Sequence, residues 1–144
     1  MSSSYIPGKR HEILRGDVRY PEVFERVRNP PRCLYVVGSV DALREGIAIV
    51  GARKATPYGL ACAKRFADKA ARNGVVVISG GARGCDSEAH KAALAAGGKT
   101  VAFLGGGCDK PYPAEHKELF SRIVAQGGAL VSEQPWDADP RPYM

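Results

Sequence analysis

Three times between residues 47 and 125 a short apolar run gives way to a loop and then to a helix-length segment. A fourth run, ALVS at Ala129–Ser132, closes the series. This cadence constrains the fold more than any other feature. Residues 47–50 (IAIV), 75–78 (VVVI) and 100–104 (TVAFL) are apolar at successive positions, as a strand covered on both faces requires. The segments between them are long enough for crossover helices. Thr56 is suited to cap the first helix and Pro57 to occupy its first position. Leu60, Ala63, Ala67 and Ala70, with Phe66 alongside, form its apolar stripe, and Asn73-Gly74 ends it. A second helix is predicted over residues 87–96, capped by Asp86, and a third over residues 114–125 through Leu119, Phe120, Ile123 and Val124. Strands alternating with helices predict an open, mostly parallel α/β sheet with helices on both faces.

In such a sheet the loops after the strands share one edge, and ligands bind there. The cadence therefore brings together four loops: GARK at 51–54, SGGARG at 79–84, GGGCDK at 105–110, and SEQPW at 132–136. The first opens a stretch, AIVGARKATPYG at 48–59, in which a strand, a small-residue turn with two cations and a capped helix start meet. Glycines let an anion approach backbone N–H groups, and arginine grips phosphate bidentately. The candidate phosphate-contacting residues are Gly51, Ala52, Arg53, Lys54, Ser79, Gly80, Gly81, Arg83 and Lys110. For a single loop of this kind, a tight turn with its arginine in water is an equally simple account. Convergence of three cation-bearing loops favours a polyanion.

Charge points the same way. The net charge is +6, and residues 51–99 carry nine Lys/Arg against three Asp/Glu. Residues 1–32 carry seven against four, whereas residues 100–144 carry four against six. Clustered cations favour a polyanionic partner through counterion release. Neither a G-x-G-x-x-G fingerprint nor a Walker A motif follows the first strand, which argues against a nicotinamide or nucleoside-triphosphate enzyme and predicts no cofactor. Cys33, Cys62, Cys85 and Cys108 form neither C-x-x-C nor a Cys/His ligand cluster, so no metal site is predicted and the thiols are read as reduced. There is no apolar run of membrane-spanning length and no secretory h-region near Met1, so the chain is read as cytoplasmic with no membrane partner.

Residues 1–19 are polar and read as a flexible or poorly ordered segment. A short lead-in helix is predicted over residues 20–27 (YPEVFERV), stopped by Asn29-Pro30-Pro31, with a strand at residues 33–37 (CLYVV). Asp86 and His90 stand four apart on one helix face. A carboxylate orienting an imidazole suits general-base catalysis, but no nucleophile accompanies them, and a helix cap with a structural histidine is the plainer reading. Tyr58 and Tyr112 stand in or beside the loops, placed to stack on bases or simply to pack.

The blocks GxR-x-x-T-x-Y-G, SG-x-A-x-G-x-D-x-x-AH and LG-x-G-x-D-x-x-YP occur here in order, within YPEVFERVRNPPRCLYVVG, AIVGARKATPYG, VVVISGGARGCDSEAHKAAL, TVAFLGGGCDKPYP and ALVSEQP. Together they closely resemble the DNA-processing protein A family (DprA, also called Smf) from Tyr20 to about Pro135. The resemblance implies a Rossmann-like domain over residues 20–135 that binds single-stranded DNA without catalysis. It also implies protection of incoming DNA during natural transformation and loading of the recombinase RecA. The GxR arginine maps to Arg53, and the second-loop nest maps to Ser79, Gly80 and Gly81, with Arg83 close by. Gly81 stands where leucine is common in the family, and Cys85 where an aliphatic is common. Family members continue beyond SE-x-P into a segment with further cations and a dimer surface. Residues 136–144 are accordingly read as a terminal loop with the rest of the domain absent, Arg141 as the start of that wall, and a homodimer as the state of the full-length protein. The alternative reading is a Rossmann-type nucleoside-monophosphate phosphoribohydrolase, which binds phosphate in similar loops. Its PGG-x-GT-x-x-E motif does not occur in residues 1–144.

Overall fold

In a computed structural model, residues 6–140 are described, so Arg141 lies outside the described residues. Six strands form one sheet: β1 (Arg10–Leu14), β2 (Cys33–Gly38), β3 (Gly46–Ala48), β4 (Val76–Ser79), β5 (Thr100–Phe103) and β6 (Ala129–Ser132). Their order is β1-β2-β6-β5-β4-β3. The pairs β3–β4, β4–β5 and β5–β6 are parallel, while β1–β2 and β2–β6 are antiparallel. The helices are α1 (Pro57–Arg72), α2 (Cys85–Ala95) and α3 (Lys117–Ala125). The sheet is mostly parallel, as the cadence predicts.

The expectation of helices on both faces is met unequally. Ala102, Leu130 and Val37 meet Leu119, Phe120 and Ile123 of α3 and Leu94 of α2 on one face. Val77, on the same face, meets the alanines of α1 and α2. On the opposite face, Val36, Val76, Val101 and Val131, with Ile13 of β1 beside them, cluster with Tyr20 and Phe24 and with the segment around Ala42 and Leu43, and no α-helix joins them among the described residues. The reason is topological. From β3 to β6 every crossover steps in the same direction along the sheet, and crossovers of one hand then place every helix on one side. Helices on both faces need a reversal of direction within the parallel run, and β3 to β6 contains none.

Local signals set the helix ends. The Thr56 hydroxyl accepts from the Gly59 N–H at 3.1 Å, with Pro57 in the first turn. The Asn73 side chain donates to the Lys69 carbonyl at 2.7 Å to close α1. Ala67, Ala71, Ala89, Ala92 and Ala93 let α1 and α2 pack closely. Phe66 does not join that stripe: it is 61% exposed, on the outer side of α1.

Three expectations about the N-terminal third are corrected. Residues 1–19 were expected to be poorly ordered, yet Arg10–Leu14 forms β1, and Ile6 and Ile13 are fully buried. Within β1 only Ile13 is fully buried; three polar residues precede it, and Leu14 is exposed. The predicted helix over residues 20–27 is a single 3-10 turn, Glu22–Arg26. Its neighbours are held by the Tyr20 hydroxyl donating to the Pro31 carbonyl at 2.7 Å and by Phe24 tilted on Phe103 at 5.7 Å. The first core strand ends at Ala48 rather than Val50. Ile49 still donates to the Ile78 carbonyl, but Val50 is 70% exposed as the chain turns toward α2.

Candidate nucleic-acid interface

The loops after β3, β4 and β5 meet at the sheet edge and enclose a cleft of about 100 Å³ lined by Arg53, Gly80, Arg83, Gly105, Lys110 and Tyr112, among others. Small-molecule pockets hold roughly 300–1,000 Å³, and one water takes about 30 Å³. The cleft therefore suits a phosphate group rather than a whole nucleotide.

Asp86 builds the first two walls. It is not the helix cap: Gly84, with φ of 80°, precedes α2, and Asp86 lies within the first turn. Its buried carboxylate accepts from the Gly80 N–H at 3.0 Å and from the Gly51 N–H at 3.3 Å. One side chain thus ties the loop after β4 to the loop after β3. Gly84 completes the junction, because a Cβ there would collide with the Ala52 carbonyl oxygen. Cys85 donates its N–H to that same carbonyl at 3.3 Å.

This arrangement corrects the anion-nest reading of the second loop. The Ser79 hydroxyl is buried and donates to the Ile49 carbonyl. The Gly80 N–H serves Asp86, so Gly80 contributes wall rather than a donor. Gly81 is buried, with no room for a Cβ beside the Phe120 ring, and its carbonyl accepts from His116 Nδ1 at 2.9 Å. Gly51, Ala52 and Lys54 are exposed on the rim. The structure thus gathers Arg53, Gly80, Arg83 and Lys110 into the cleft, leaves Gly51, Ala52 and Lys54 beside it, and takes Ser79 and Gly81 inside.

Two of the cleft cations have internal counterions. Arg83 donates two hydrogen bonds to Glu115, at 2.7 and 2.9 Å, and lies over the Tyr112 ring at 5.6 Å. The pair raises the Arg83 pKa and lowers that of Glu115. Lys110 Nζ is 2.9 Å from Asp139, which raises the lysine pKa. Glu115 and Asp139 are functional neighbours that sequence reasoning missed. The signal available was their place near the same sheet edge, in the turn before α3 and in the tail after β6.

That tail is anchored. Gly107 donates to the Ala138 carbonyl and Asp109 to the Trp136 carbonyl, both at 2.9 Å. A Cβ on Gly107 would collide with the Trp136 carbonyl oxygen. Trp136 stacks edge-on against Tyr35 at 5.2 Å, and Arg10 of β1 is paired with Asp109. The N-terminal strand therefore braces the third loop.

His90 takes no part in the cleft. It is fully buried, and its Nδ1 is 2.7 Å from the Thr100 hydroxyl, which itself donates to the Val77 carbonyl. Nδ1 must therefore carry the proton, leaving Nε2 unprotonated and without a partner among the described residues. Burial lowers its pKa to about 3. Asp86 and His90 are thus spent on internal hydrogen bonds. Among the described residues, no group of three His, Cys, Asp or Glu is placed to hold a metal, and no helix is long and apolar enough to cross a membrane.

Comparison with known proteins agrees with this architecture. Protein Smf of Escherichia coli is 37% identical over 144 residues, covering 99% of this chain and 38% of that protein. A putative DNA processing protein DprA of Mycobacterium tuberculosis is 52% identical over 88 residues, covering 61% of this chain and 22% of its own length. The chain thus spans well under half the length of these relatives. The structure of DNA processing protein A from Streptococcus pneumoniae superposes with a TM-score of 0.81 at 31% identity, covering 93% of this chain and 47% of that one. That of DNA processing protein A from Helicobacter pylori, described for its single-stranded DNA binding mode, gives 0.77 at 29% identity, covering 98% and 62%. The family model for DNA recombination-mediator protein A matches residues 11–144, and the chain belongs to that family.

Proposed function

We propose that this chain binds single-stranded DNA, without sequence preference and without catalysis, through the sheet-edge cleft. The observation that carries the reading is the convergence of Arg53, Arg83 and Lys110 from three separate loops on a cleft of phosphate size. A phosphodiester backbone offers a repeated group of that size, and contacts to it carry no sequence information. Family membership and the single-stranded DNA binding ascribed to the Helicobacter pylori protein support the same reading. In the whole protein we place this binding in the cytoplasm, in the processing of DNA taken up during transformation. RecA loading and homodimerisation are then activities of the longer chain.

Arg53 is the grip to test. Fluorescence anisotropy with a labelled thymidine oligomer, repeated across salt concentrations, is expected to show weaker binding for Arg53→Ala. The slope of log affinity against log salt should become shallower by about 0.7, the share of one phosphate on a single strand. Equal affinity and equal slope for variant and wild type would remove the proposal.

A further inference from the structure

We propose that the outer face of α1 carries single-stranded DNA onward from the cleft, an inference that rests on the function proposed above. The cleft has room for about one phosphate, so a bound strand must leave it over adjoining surface. Which surface is decided by charge. Among the described residues, Arg83, Lys110 and Arg72 are paired with Glu115, Asp139 and Asp68. Among the described residues, no carboxylate pairs with Lys54, Arg65 or Lys69, all of them exposed. Lys54 ends the first loop, and Arg65 and Lys69 lie on the α1 that follows it. Three cations without a carboxylate partner thus continue from the rim of the cleft along this helix.

The helix geometry sets Arg65 and Lys69 in one line with Tyr58. At 3.6 residues per turn, Arg65 and Lys69 lie within about 20° of Tyr58 around the axis, opposite the buried Ala63, Ala67 and Ala71. The line extends about 16 Å from Tyr58 to Lys69 at 1.5 Å per residue. Exposed rings accompany the cations. Tyr58 is 80% exposed and Phe66 61% exposed, while Tyr112 in the cleft is 49% exposed. Phe66 sits on the flank of the line, two turns beyond Tyr58. Rings interleaved with unpaired cations are what an unpaired strand uses, its bases stacking while its phosphates are held. A duplex hides its base faces and has no use for the rings. An aromatic that α1 should bury for stability alone stands in water here.

Binding to a short thymidine oligomer of about six nucleotides and a long one of about twenty separates the two sites, since single binding folds cover roughly 4–16 nucleotides. Arg65→Glu/Lys69→Glu and, separately, Tyr58→Ala/Phe66→Ala are exposed substitutions to compare with wild type. Each is expected to weaken the long oligomer roughly tenfold, within the range for a lost base stack or phosphate contact, and to leave the short one unchanged. The charge-reversed variant should also flatten the salt slope on the long oligomer by about 1.4, two phosphates' share. Long-oligomer affinity that both variants retain, while Arg53→Ala still weakens both lengths, overturns the α1 path and leaves the cleft reading standing. So does an equal loss on both lengths. Absence of wild-type binding at either length overturns the cleft reading itself, and the path with it.

Discussion

Glu115 and Asp139 hold Arg83 and Lys110 in ion pairs, so a phosphate entering the cleft meets cations that already have an anion beside them. Both pairs are exposed, and exposed pairs are weak and screened by salt. On the function proposed above, the carboxylates compete with DNA rather than exclude it. Glu115→Gln is expected to raise single-stranded DNA affinity several-fold at low salt, with the gain shrinking as salt rises. Anisotropy titrations at two ionic strengths check this, and an unchanged or weaker affinity counts against competition. His90 supplies a second effect at this scale. Its folded pKa of about 3 lies below the ordinary 6.5, so the unfolded chain binds more protons between these values. The stability that neutral His90 supplies is complete above pH 6.5 and is lost as pH falls toward 3. Thermal midpoints should fall over that window in wild type, and His90→Gln should show a shallower fall. Parallel curves for the two proteins would show that His90 is not the titrating group.

Among the elements, α1 was the most legible. Its cap, its first-turn proline and its Asn-Gly end all act within a turn of the chain, and the observed Pro57–Arg72 has the boundaries they imply. Short apolar runs located β4, β5 and β6 to within a residue or two. β1 was missed, because RHEIL carries only one fully buried side chain, Ile13, and reads as polar. Its five register pairs with β2 hold it in place. A segment expected to fray is therefore part of the core. Ile13→Ala should cost about 2–5 kcal/mol, the usual range for emptying a buried aliphatic site. Urea denaturation measures it, and a loss below about 0.5 kcal/mol, the level of a surface change, would return β1 to the status of a frayed end.

For the whole molecule, strand order turns a list of loops into a surface. The monotonic run β6-β5-β4-β3 places three loop ends side by side and all three α-helices on one face. Periodicity, caps and glycine turns act over a few residues, so the sequence by itself determined the α/β class, the mostly parallel sheet, the shared loop edge and the presence there of Arg53, Arg83 and Lys110. Only the tertiary structure decided which neighbours these loops and charges meet. Asp86 takes the amides of Gly51 and Gly80, Ser79 turns inward to Ile49, and Glu115 and Asp139 attend two of the cations. These partners stand 35, 6, 30, 32 and 29 residues apart in the chain. Four of the five separations are far beyond any local pattern; those pairs meet because the packed sheet and helices bring the loops together.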